Sequence, residues 1–192
     1  MRTVTGLFDD YSTAQDAVSD LEDIGIPSSD ISIVSHHSGD ETNAGEGAGI
    51  GAGVGAAVGG AGGLLAGLGI MAIPGVGPVV AAGWLASTLA GAVGGAVVGG
   101  ATGGLIGALT ESGVSEDDAN FYAEGVRRGG TIVTARVADE KYAEADAILK
   151  GLDRVDIAAR RQQYVDDGWQ KFDPNAKPYT DEEIDRERNR YL

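Results

Sequence analysis

The chain's two histidines, His36 and His37, are adjacent, and Asp40 and Glu41 follow closely. Imidazole and carboxylate together form a donor set suited to zinc. Adjacent residues of a strand project to opposite faces, however, so this pair does not readily share one ion. The expectation is a solvated loop and no metal. There is no cysteine, which removes thiolate nucleophiles, thiolate ligands and disulfides and fits a reducing compartment. No serine has an evident histidine and carboxylate partner for nucleophilic catalysis. The acidic residues fall mainly on exposed helix faces. No catalytic residue and no cofactor are expected, and the chain reads as a non-enzyme.

Glycine is the other residue type here with chemical potential, at 32 of 192 positions and concentrated in one block. A dinucleotide-binding turn needs glycines at i, i+2 and i+5 after a strand. Candidates starting at Gly47, Gly49, Gly51, Gly53, Gly60, Gly67 and Gly75 all lack the third glycine. A phosphate loop needs Gly-Lys-Ser/Thr, and the block contains no lysine. Phosphate cradling is excluded.

The glycines instead repeat every four residues. Gly47, Gly51, Gly55, Gly59, Gly63 and Gly67 form one row, and Gly83, Ser87, Gly91, Gly95, Gly99, Gly103 and Gly107 form a second. Each interior helical glycine costs roughly 1 kcal/mol against alanine. A row of them is compensated where it lets two helix backbones approach closely, gaining dispersion and Cα–H···O contacts. Between the rows, Pro74, Gly75, Gly77 and Pro78 read as a tight turn. Residues 47–110 are thus expected to form a glycine-zipper α-helical hairpin that packs on itself and on another copy, giving a homo-oligomer. A flexible linker, an aggregation-prone tract or a hairpin buried wholly in a protein assembly are the competing readings.

Lipid is a further expected contact. From Gly47 to Thr110 no residue is charged, and each arm is long enough to cross a hydrocarbon core of ~30 Å. The most apolar stretches, 64–73 and 79–89, flank the turn, as a hairpin entering lipid tip-first would require. Against this, the stems are poor in Leu and Phe. Asp40, Glu41, Glu46 and Glu111 stand at the stems where a membrane protein would carry Lys or Arg.

The elements around the block follow from periodicity. Residues 3–8 read as a strand. Residues 12–24 read as a helix with Ala14, Ala17, Val18, Leu21 and Ile24 on one face, and 30–35 as a second strand. A similar unit recurs later: a strand over 131–137, a helix over 138–152 (Tyr142, Ala145, Ile148, Leu149, Leu152) and a closing strand over 154–159. Ser115, with Asp118 three residues on, opens an extra helix over 115–130. Two such halves predict an α+β, ferredoxin-like βαβ…αβαβ sandwich interrupted by the glycine-zipper α-helical hairpin. The expected domains are 1–36, a linker at 37–46, the hairpin at 47–110, the second half at 111–157 and a polar tail at 158–192. In that mostly disordered-looking tail, Thr180 and Glu183 form a capping box for a short helix. Trp169, Phe172 and Tyr179 are its apolar anchors, packing on the protein's own sheet, on a sister subunit or on another protein.

The formal net charge is −15. It repels nucleic acid and offers no attraction to anionic lipid, so no nucleic-acid partner is expected. The amino terminus, "MRTVTGLFDD", lacks the apolar core of a signal peptide, which places the protein on the cytoplasmic side, at the inner membrane if lipid is engaged.

"AIPGVGPVVAAG" (72–83) and "GGLIGALTESGVSEDDANFYAEGVRRGGTIVTARV" (103–137) together resemble the bacterial general stress protein 17M-like family. "TVTGLFDDYSTAQDAVSDLEDIGI" (3–26) is similar to the heat-induced stress-protein domain of the same group. The resemblance spans roughly 3–157. It implies a stress-associated bacterial protein of unestablished activity, described as membrane-associated, with no catalytic residues to carry over. The expected function is non-enzymatic self-assembly, membrane-associated. The alternatives are a soluble homo-oligomer with buried hairpins, and a regulatory small-ligand sensor using the sheet.

Overall fold

The computed structural model describes residues 1–37, 69–94, 104–151 and 154–191. Its centre is a five-stranded sheet in the order β1 (Arg2–Phe8), β5 (Thr131–Val137), β2 (Ile31–His36), β4 (Gly77–Gly83), β3 (Gly69–Ile73), with every neighbouring pair antiparallel. The class is α+β. β5 lies between the two strands of the first βαβ unit, so the repeat sensed in the sequence interleaves.

Helix α1 (Tyr11–Asp23) starts where Asp10 accepts from the Thr13 amide at 2.7 Å. It buries Ala14, Ala17 and Leu21. With α5 (Tyr142–Leu149) it covers Val4, Phe8, Ile31, Ile33, Val133 and Ala135 on one sheet face. On the opposite face lie α2 (Trp84–Gly94), α3 (Leu105–Glu111) and α4 (Glu116–Arg127). They pack Leu85, Leu89, Leu105, Leu109, Phe121 and Val126 over Leu7, Val34, Val79 and Ile132. Each such fully buried aliphatic or aromatic side chain contributes about 1.5–3 kcal/mol. α4 opens as expected, with Ser115 accepting from the Asp118 amide at 3.1 Å.

Three expectations are corrected. The turn at 74–76 falls where the sequence placed it, but it joins β3 to β4 and not two helices. β-Branched residues at Ile70, Ile73, Val76, Val79 and Val80 and a Gly/Pro turn suit a β-hairpin equally, and pairing with β2 decides it. The apolar stretch read as a tip entering lipid is therefore partly the domain's own core: Val79, Ala81, Ala82, Leu85 and Leu89 are buried there. Second, 154–159 is not a strand. Asp156 accepts from the Ala159 amide at 2.9 Å and starts α6 (Ile157–Asp166). That stretch meets β1 through one backbone bond, Val155 N–H to the Leu7 carbonyl at 3.0 Å, and through the Arg154 side chain, which donates to the Thr5 carbonyl at 2.9 Å. Third, the tail is built into the fold. α6 and α7 (Asp181–Arg188) both pack on the α4 side of the sheet, with Tyr164, Phe172 and Ile184 buried. Leu152 lies outside the described residues.

Candidate functional site

The densest concentration of functional groups is where the tail docks. Tyr164 on α6 is buried against Phe121 on α4, with ring centroids 5.5 Å apart, and meets Trp169 edge-on at 6.0 Å. Phe172 enters the same core. The chain from 172 to 178 then crosses the β3–β4 turn so closely that a Cβ at Gly75 would lie 2.6 Å from the Asp173 carbonyl oxygen. Gly75 also has φ +77°, a conformation in which a side chain is strained. The Thr180–Glu183 capping box forms as the spacing predicts and starts α7. Ile184 closes over Gly129.

Around these apolar contacts sits an ion-pair cluster. Arg128, at the end of α4, donates to Glu124 at 2.8 Å, to Glu187 at 2.7 Å and to Asp167 at 3.2 Å. Arg190 donates to Asp167 and Glu187, both at 2.9 Å. Arg160 grips Asp9 with two bonds of 2.8 and 2.9 Å, and its guanidinium lies 3.3 Å from the Tyr191 ring centre. Tyr191 donates its hydroxyl to Glu187 at 3.0 Å. Glu124 is 1 % exposed and Arg128 7 %, so these charges depend on one another for solvation.

Burial alone would raise the Glu187 carboxyl, but hydrogen bonds from Arg128 and Arg190 outweigh it and hold it below its ordinary range. Burial works against the Arg128 charge, and its bonds to Glu124 and Glu187 more than restore it. Burial pushes the Tyr191 phenol up to about 12. General acid–base chemistry favours groups titrating near the working pH, whereas these charges are fixed well away from neutrality. The space enclosed by Leu7, Asp9, Arg128, Arg160, Glu187 and Tyr191 is about 10 Å³, room for about one water. The arrangement is a lock between tail and domain.

His36 is 6 % exposed at the end of β2, and neither ring nitrogen has a hydrogen-bond partner among the described residues. It faces Gly77 and lies near Pro178 of the crossing segment. Burial lowers its pKa; Asp181 pulls the other way, while Arg188 and His37 add to the lowering. Among the described residues no three His, Asp or Glu side chains are grouped to hold a metal.

The expected site residues are placed as follows. Gly47, Gly51, Gly55, Gly59, Gly63, Gly67, Gly95, Gly99 and Gly103 lie outside the described residues, which takes in all of the first row and the middle of the second. Gly83 is not on a helix. It ends β4 with φ +84°, and a Cβ there would collide with the Ile31 carbonyl oxygen. Ser87 and Gly91 lie on α2, and Gly107 on α3. Ser87 is exposed and Gly107 half-buried, while Leu85, Leu89, Leu105 and Leu109 make the core contacts. Gly75 and Gly77 sit beneath the crossing tail, while Pro74 and Pro78 are exposed. Trp169 packs on the core, Phe172 is buried in it, and Tyr179 lies under the Arg127 guanidinium at 4.8 Å. The Arg128 cluster was not singled out from the sequence. Its signal was there: Glu124 and Arg128 are four apart on a helix, the spacing of an ion pair.

No family model, curated protein or solved structure matches this chain.

Proposed function

We propose that this is a non-enzymatic, self-associating protein whose α+β domain is a scaffold for the glycine-rich segments 47–67 and 95–103. The observation that carries the reading is the placement of the small-residue row on α2. Ser87 is turned outward and exposed while Leu85 and Leu89, its neighbours, pack inward. The domain's core does not use Ser87, which leaves that side of α2 available to another surface. The scaffold also fixes the ends of the longer glycine segment: the His37 amide donates to the Pro78 carbonyl at 2.9 Å, and Gly69 pairs with Ala81. We read the interleaved β1–α1–β2/β5 unit as a ferredoxin-like kernel extended by the β3–β4 hairpin. Stress association rests on the family resemblance of 72–83 and 103–137.

Protein packed on protein is the form favoured, because the apolar stretch that lipid insertion would employ is partly engaged in the core. Among the described residues no helix is long and apolar enough to cross a membrane. Association with an inner membrane is the second reading, supported by the uncharged run from Gly47 to Thr110. A small-ligand sensor would bind on a sheet face, and helices cover both.

Sedimentation velocity of the full chain beside Gly55→Leu and Gly95→Leu tests the proposal. The variants should sediment as smaller species with unchanged thermal unfolding of the domain. Identical profiles for all three would overturn it. Density-gradient flotation of a native lysate separates the two forms: a dense, large species supports protein packing, and flotation that survives a high-pH wash supports the membrane.

A further inference from the structure

We infer that the outer edge of β3 is a second association surface and that its occupant is β3 of another copy, joining two sheets edge to edge as an antiparallel pair. β3 pairs with β4 in unbroken register from Gly69↔Ala81 to Ile73↔Gly77. Among the described residues no strand lies on its other side. In an antiparallel ladder every second residue directs both its N–H and its C=O away from the existing partner. Among the described residues that side of Gly69–Ile73 is unpaired, and its backbone groups are a set that a fellow strand satisfies completely.

The usual protections of an edge are charge, proline, a bulge or a covering segment. Residues 69–73, "GIMAI", carry no charge and no proline, and the register shows no bulge. The far edge of the same sheet shows what protection looks like in this protein. On β1 the Thr5 carbonyl accepts from Tyr122 at 3.0 Å and Arg154 at 2.9 Å, and the Leu7 carbonyl accepts from Val155.

Charge selects a copy of this chain as the occupant. At net −15 two copies repel over most of their surfaces, whereas the hairpin from 69 to 83 has no charged side chain. Like copies therefore approach at this border with the least electrostatic cost. A strand that is identical on both sides closes under a two-fold axis, so the pairing ends at two sheets and does not propagate. The inference shares with the preceding proposal that copies associate, but it does not depend on the glycine rows.

Ala72 is exposed on β3, so Ala72→Lys and Ala72→Glu test the edge without disturbing the core. Each variant alone should sediment one association step below the wild type, because like charges meet across the two-fold axis. An equimolar mixture of the two should regain the wild-type species, which a folding defect would not allow. A variant that sediments as the wild type shows the edge closed by other residues, such as 38–68 of its own chain, and overturns the inference. A mixture that stays dissociated overturns it as well. Gly55→Leu and Gly95→Leu in the same run keep the two surfaces apart: loss there with no effect at Ala72 removes the edge alone, and the reverse removes the glycine rows alone.

Discussion

On β1 the carbonyl oxygens of Thr5 and Leu7, which a neighbouring strand would use, are held by Tyr122, Arg154 and Val155. On β3, at the other end of the sheet, the described residues supply no such partners. The first edge is closed from within the second half of the fold, by α4 and by the residues just before α6. The second edge adjoins the glycine-rich stretch and lacks charge altogether. One border of the sheet is thus closed within the chain, and at the other the described residues show no closing partner. The tail is engaged elsewhere, crossing the β3–β4 turn at Gly75 and Gly77.

The largest effect should come from unlocking the tail. Arg128→Met removes the cation that buried Glu124 and Glu187 share and leaves each with one flanking arginine, Arg127 and Arg190, a loss of about 3 kcal/mol, the low end for a broken buried pair. Urea unfolding should show it as a lowered midpoint. Gly75→Ala should cost about 1–2 kcal/mol for its positive φ, and its Cβ would meet the Asp173 carbonyl. Limited proteolysis should then cut within 172–180 sooner, while β1 stays closed. Tyr122→Phe removes one of two donors to Thr5 and should cost about 1 kcal/mol, read as a small drop in melting temperature with no change of assembly.

Acid should act more gently. His36 has its pKa lowered by burial, so the unfolded chain takes up a proton first as pH falls below the ordinary histidine value of about 6.5. Its contribution is present above that value and fades below it. Glu187, held low by Arg128 and Arg190 against its burial, adds stability above the ordinary carboxylate range that is lost as pH falls through its lowered value. Both point the same way. The urea midpoint should fall between about pH 7 and about pH 5, and His36→Gln should flatten that part of the curve; a flat wild-type curve would contradict the assignment.

Much of the core was legible in the sequence, for local reasons. α1 shows an uninterrupted apolar stripe, α4 announces itself by Ser115, and β1, β2 and β5 are rich in β-branched residues at the expected positions. The β3–β4 hairpin was not legible, because it lies between the two glycine rows, where an apolar run with a Gly/Pro turn fits the tip of a helical hairpin and a β-hairpin alike. Only pairing with β2 distinguishes the two. α6 was mistaken for a strand since "RVDIAA" is short and apolar, whereas Asp156 acts as a helix cap once no strand adjoins it. The Arg128 cluster joins residues as distant as Asp9 and Arg160, or Glu124 and Glu187. Long-range pairing of that kind leaves only its Glu124–Arg128 half visible as a local spacing.

The most direct test of the account is amide hydrogen exchange of the full chain, followed strand by strand over a wide range of protein concentration. The account predicts that protection of β1 is the same at every dilution, because its edge is closed within the chain, while β3 amides at 69–73 lose protection as the protein is diluted to single chains. Protection of β3 that is independent of concentration would contradict it, placing the closure of both edges within one molecule.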